Sequence, residues 1–191
     1  MKRTTKILST IALVTAAAAV LAACGGGGHD MDGMDDKSNA KDHNSADVMF
    51  AQMMIPHHEQ AVEMAKLAAD RAKDPEVADL AEKISGAQQP EIDTMTGWLE
   101  KWNESTKPTM GHDMPGIVSD KDMKKLKDAK GTAFDKLFSQ DMIGHHEGAV
   151  DMSRDEKSDG KYKEAIGMAG DIIKAQQAEI KQMRKIVDRL S

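Results

Sequence analysis

The stretch Asp47–Met64, DVMFAQMMIPHHEQAVEM, occurs twice in this chain, for Asp135–Met152 reads DKLFSQDMIGHHEGAVDM. Phe50 pairs with Phe138, His57 with His145 and Met64 with Met152. A second block keeps the same register: Ala87-Gln88-Gln89-Pro90-Glu91-Ile92 matches Ala175-Gln176-Gln177-Ala178-Glu179-Ile180. The offset is 88 residues at both blocks (Phe50 to Phe138, Ala87 to Ala175), with no gap between them. Two separate blocks in one register mark a duplicated unit.

Each unit reads as a helical hairpin. Val77, Leu80, Ile84, Ile92, Met95, Leu99 and Trp102 recur at helical spacing, and Ile172, Ile173, Ile180, Met183, Ile186, Val187 and Leu190 repeat the pattern. Asp74-Pro75-Glu76 puts a capping side chain before a proline at the first helical position. Ser45 and Thr132 are the expected N-caps of the first helix in each copy. No segment alternates as a strand does. The predicted fold is all-α, an antiparallel four-helix bundle of two hairpins. Hairpin 1 is expected over about 45–103, a link over 104–118 with Pro108, Gly111, Pro115 and Gly116, and hairpin 2 over about 119–191.

Upstream of 45 the chain changes character. MKRTTK is basic, an apolar run from Ile7 to Ala23 follows, and Leu21-Ala22-Ala23-Cys24 resembles a bacterial lipobox. Ser9, Thr10 and Thr15 interrupt that run, which suits a cleaved leader over 1–23 better than a bilayer span. Lipidation of Cys24 would tether the mature chain outside the cytoplasm, at the cell surface or in a periplasm. Residues 24–44, rich in Gly and Asp, cannot bury a core and are expected to form a flexible spacer.

Composition narrows the chemistry. The 191 residues carry 32 acidic and 26 basic side chains, net −6, with no concentrated basic stripe, which argues against nucleic acid as a partner. A single Cys excludes a disulfide framework and any multi-Cys zinc or iron–sulfur site. The unusual abundances are 15 Met and 7 His.

On a helical wheel with Met54 at zero, His58 falls at about +40°, His57 at about −60° and Met64 at about −80°. The His pair thus lies on the core stripe between two thioethers, and Met142, His145, His146 and Met152 repeat the arrangement. Ala61 and Ala149 leave room beside the rings, while Glu59 and Glu63 point the other way. Imidazole and thioether together suit copper, the sulfur favouring Cu(I) and the nitrogen accepting Cu(I) or Cu(II). Zinc prefers Cys, His and carboxylate, and Mg and Ca prefer oxygen. Gln88, Glu91 and Met95, with Gln176, Glu179 and Met183, share the inward stripe of the second helices. They are candidates to orient a ligating His, to bind metal directly, or to sit at the bundle edge. Met110, His112 and Met114 in the link, and His29, Met31 and Met34 in the spacer, are candidates for auxiliary ion capture.

The pattern Phe-x-x-x-Met-x-x-His-His-x-x-Ala-x-x-Met, followed by Gln-x-x-Glu-Ile-x-x-Met, resembles the family called domain of unknown function 305. The likeness covers about residues 45–190 and both copies. It implies a ferritin-like four-helix fold and, for some members, secreted copper-binding proteins linked to copper tolerance. It implies metal binding by Met54, His57, His58, Met64, Met142, His145, His146 and Met152. Gly144 and Gly148 stand where the first copy has Pro56 and Gln60, and are expected to loosen the second copy's first helix.

The expected function is a lipid-anchored extracytoplasmic protein that sequesters or buffers copper, with a copper chaperone or pump as candidate partner. No phosphate loop, dinucleotide fingerprint or nucleophile elbow is present, so catalysis is not expected. The first rival is a ferritin-like di-iron or di-manganese oxidase. That chemistry needs Glu-x-x-His on two helices, and the positions before the His pairs hold Met54 and Pro56, or Met142 and Gly144. The second rival is a structural or partner-binding lipoprotein without metal.

Overall fold

The computed structural model describes residues 42–107 and 114–191. Five helices follow in order: α1 (Ser45–Arg71), α2 (Pro75–Trp102), α3 (Asp120–Asp128), α4 (Thr132–Asp159) and α5 (Lys163–Arg189). No strand occurs among the described residues, and the fold is an all-α helical bundle. Cys24, His29, Met31, Met34, Met110 and His112 lie outside the described residues.

The helix starts depart from the expected caps. Asn44, not Ser45, caps α1: its side chain accepts from the Ala46 and Asp47 amides, and its own amide donates to Asp47 at 2.6 Å. A cap must stay extended, as Asn44 does at φ −131°, whereas Ser45 already lies in the helix. Thr132 is likewise the first helical residue of α4. Gly131 precedes it at φ +62° with no side-chain cap, and its amide donates to the Arg71 carbonyl at 2.8 Å. Asp74 caps α2 by accepting from the Glu76 amide, with Pro75 at the first helical position. The expected spacer also ends earlier than residue 44, because His43 is 7 % exposed and stacks on Trp102 at 4.3 Å.

Short turns make α1–α2 and α4–α5 antiparallel hairpins, and α1 docks on α4. Two buried aspartates fix that docking head to tail. Asp47, near the start of α1, accepts from the Lys161 and Tyr162 amides in the α4–α5 turn. Its repeat partner Asp135 accepts from the Lys73 and Asp74 amides in the α1–α2 turn. Each hairpin's first helix therefore clamps the other hairpin's turn. The short α3, capped by Ser119, buries Met123 and Leu126 and has no counterpart among the described residues.

The apolar core is divided in two. One cluster gathers Met64, Ile84, Phe138, Met142, Ile180 and Met183. The other gathers Phe50, Met54, Ile92, Met95, Met152 and Ile172. On all four long helices the residues separating these clusters are polar: His57 and His58, Gln88 and Glu91, His145 and His146, Gln176 and Glu179. A polar layer crosses the middle of the bundle.

Candidate metal centre

All four imidazoles, His57, His58, His145 and His146, are 0 % exposed. They reach the layer because each adjacent pair straddles the inward stripe of its helix, with alanines (Ala61 and Ala149, both fully buried) one turn further on. The His57 and His145 rings face each other across the α1–α4 interface, centroids 3.7 Å apart and tilted by 35°.

The other two rings are held by carboxylates. His58 Nε2–H donates to Glu91 Oε2 at 2.7 Å, and His146 Nε2–H donates to Glu179 Oε2 at 2.7 Å. These contacts match one of the three roles open to the glutamates, orientation of the imidazole, and engage only one oxygen of each carboxylate. A carboxylate only accepts, so the shared proton sits on Nε2 and Nδ1 carries the lone pair. His57 Nε2–H donates to the Pro115 carbonyl at 3.0 Å, which leaves Nδ1 as the lone-pair nitrogen there too. The Nδ1 atoms of His57, His58 and His146 have no partner, and neither nitrogen of His145 has one. An orphaned buried acceptor costs about 1–3 kcal/mol, and four rings repeat that cost.

Burial keeps the facing pair, His57 and His145, neutral. It pushes His57 down to about 3, aided by the neighbouring His58 and opposed by the Pro115 hydrogen bond. Burial, then His57 close by, holds His145 well below the ordinary imidazole value. Neutral imidazole is the form that ligates metals. Buried methionines from both copies lie in the apolar clusters on either side of the layer: Met54, Met95 and Met152 in one, Met64, Met142 and Met183, with Met123 of α3, in the other. Among the described residues no three His, Cys, Asp or Glu side chains are grouped as a ready-made metal site. Gln88 and Gln176 are also buried in the layer, with amide atoms lacking partners.

Sequence reasoning missed the strap formed by residues 114–118, which crosses the α1–α4 interface. The Gln60 amide pairs with the backbone of Val118 in both directions, at 2.9 and 2.8 Å. Gly116, at φ +77°, lies against the backbone of Gly144 and His145, and Gly148 packs directly under Pro115, leaving no room for a Cβ. α4 nonetheless runs unbroken through Gly144 and Gly148. Gly148 supplies the close approach that lets the strap lie on α4. The only signal was the departure of Gly144 and Gly148 from Pro56 and Gln60, and nothing local says what fills the space. Met114 begins the strap and is half-buried.

The chain belongs to the DUF305 family, a domain of unknown function, whose model matches residues 47–187. A solved DUF305 protein from Streptomyces coelicolor, described on prediction as secreted, is 33 % identical with a TM-score of 0.73, covering 76 % of this chain and 94 % of that one. CopM in its Cu(I)-bound form is 35 % identical with a TM-score of 0.65, covering 75 % of this chain and 96 % of that one. CopM has also been solved with Cu(II) and with silver. The uncharacterised protein L153 of Acanthamoeba polyphaga mimivirus is 40 % identical over 55 residues, 29 % of this chain. The match spans only 36 % of that viral protein's length.

Proposed function

We propose that this protein binds copper outside the cytoplasm, tethered by a lipid on Cys24, and sequesters or buffers the metal as cargo. The observation that carries this reading is the layer of fully buried imidazoles, each with an unpartnered nitrogen, between two apolar clusters that both contain buried methionines. Neutral imidazole and thioether form a borderline-to-soft donor set, which fits copper in either oxidation state. Since no three His or carboxylate groups stand together among the described residues, coordination would combine nitrogen with sulfur from Met54, Met64, Met142 or Met152. Met95 and Met183 extend the sulfur supply in the same clusters. The copper-bound forms of CopM support the choice of metal.

Glu91 and Glu179 hold His58 and His146 so that Nδ1 stays available, a positioning role. Binding is favoured over oxidase chemistry because Glu59 and Glu147, beside the His pairs, are exposed and absent from the layer. No described helix is long and apolar enough to cross a membrane, so attachment rests on the leader. Delivery to a chaperone or pump, and ion capture by Met110, His112, Met114, His29, Met31 and Met34, are further parts of this reading.

The test adds Cu(I), Cu(II), Fe(II) and Zn(II) separately to the full chain and to His57→Ala/His58→Ala and His145→Ala/His146→Ala variants. Copper binding lost in the variants supports the proposal. Unchanged copper binding moves the site to the Met-rich segments, and tight iron uptake with oxygen consumption favours the oxidase.

A further inference from the structure

The outer side of the polar layer lies between α2 and α5, which touch each other only sparsely. At the level of the histidines the gap between them is a cavity of about 20 Å³, walled by Ile84, Ile172 and four polar residues, Gln88, Glu91, Gln176 and Glu179. That is room for one water molecule or one small ion. Gln88 is 2 % exposed and both its amide oxygen and nitrogen lack a partner; Gln176 is 3 % exposed with its amide oxygen unpartnered. Glu91 and Glu179 each commit Oε2 to an imidazole and leave Oε1 uncommitted, with side chains 24 % and 20 % exposed. Among the described residues neither carboxylate pairs with a Lys or Arg.

Four oxygen donors therefore border a one-particle cavity: two carboxylates and two buried amide carbonyls, contributed twice over by the duplication. Two carboxylates without a Lys or Arg partner favour a cation over a neutral water. The absence of sulfur and of free imidazole nitrogen favours a hard or borderline divalent ion over Cu(I). We propose that the α2–α5 cleft is a second cation site, separate from the imidazole–thioether layer, which holds one divalent ion through Glu91, Glu179, Gln88 and Gln176. This inference does not rest on the copper reading. The two sites are nonetheless coupled, because the carboxylates that would hold this ion also orient His58 and His146.

Mn(II) is a suitable probe, being oxygen-seeking and visible by electron paramagnetic resonance. The full chain is expected to bind one Mn(II), seen as loss of the free-ion signal on titration. Loss of an outer-shell partner alone weakens metal sites by about 10–100-fold, so the Gln88→Leu/Gln176→Leu variant, which removes two donors, is expected to weaken Mn(II) by about tenfold or more. Glu91→Gln/Glu179→Gln keeps the side-chain shapes and is expected to lose Mn(II) as well. It carries the test if the leucine variant fails to fold by circular dichroism. A His57→Ala/His145→Ala variant should retain Mn(II) whatever happens to its copper, which separates failure of this inference from failure of the copper reading. Absence of saturable Mn(II) binding, meaning a cavity filled by water only, overturns the proposal. So does binding that survives both double variants.

Discussion

The two copies of the hairpin agree at their outer histidines and differ at their inner ones. His58–Glu91 and His146–Glu179 are the same dyad at the same 2.7 Å. His57, however, donates to the Pro115 carbonyl, while His145 has no partner at either nitrogen. A second asymmetry lies at the ends, where Asp47 meets the buried carboxyl of Glu156 and the equivalent place in the first copy is Ala68. Duplication produces matched contacts wherever both partners were duplicated. The link that joins the copies exists once, and whatever it touches must break the match.

The most severe way to break the comparison is to delete the inner pair. His57→Ala/His145→Ala is expected to weaken copper by more than about 100-fold, since it removes two donors and the contact between their rings, measured by competition with a chromophoric chelator. The strap asymmetry is tested next by Gly148→Ala. Its Cβ would collide with the Pro115 backbone, so denaturant unfolding should show a loss of about 1–3 kcal/mol. An unchanged midpoint would mean that the strap is free to lift. The outer dyads sharpen the symmetric half: Glu91→Gln and Glu179→Gln should each lower copper affinity by about tenfold, and equally. Unequal losses would show that the dyads differ in function despite matching in geometry.

Glu156 gives a pH signature. Burial, and the Asp47 carboxyl beside it, push it up to about 9, so the folded state prefers the protonated acid. Asp47 is itself destabilised as an anion by burial, but the Asn44 and Tyr162 amides, Glu156 and the Lys161 amide hold it below the usual carboxylate value. The stability that Glu156 contributes is complete below its unfolded value of 4.5 and is lost as pH rises toward about 9. Glu156→Gln should therefore gain in relative thermal stability across that window. A gap between the melting curves that stays flat with pH would contradict this. The smallest effect expected is at Gly144, where an added Cβ meets nothing within 4 Å. Gly144→Ala should stabilise by about 0.5–1 kcal/mol through helix propensity, opposite in sign to Gly148→Ala.

Much of the fold was legible before any coordinates. The stripe from Val77 to Trp102 is buried throughout, and Ile172, Ile180, Met183 and Ile186 follow it, while Ile173, Val187 and Leu190 lie half-buried at the edge. Period and offset are local properties, so they survive reading in one dimension. The caps were misplaced by one residue because Asn44 and Ser45 are both good capping types, and only backbone dihedrals separate them. The additional helix α3 is short and charged, and its two buried residues, Met123 and Leu126, leave little periodicity to detect.

The sequence alone determined that the chain is a duplicated helical hairpin whose histidine pairs share a face with methionines, because helical spacing converts directly into facing. The tertiary structure alone decided which nitrogen His57, His58 and His146 present, since Pro115, Glu91 and Glu179 reach those rings from other segments. It also decided that Met54 joins Met152, and Met64 joins Met142, in clusters drawn from both copies. Those pairings follow from the head-to-tail docking of α1 on α4, clamped by Asp47 and Asp135 at opposite ends, and no periodicity along one helix encodes the direction of its neighbour.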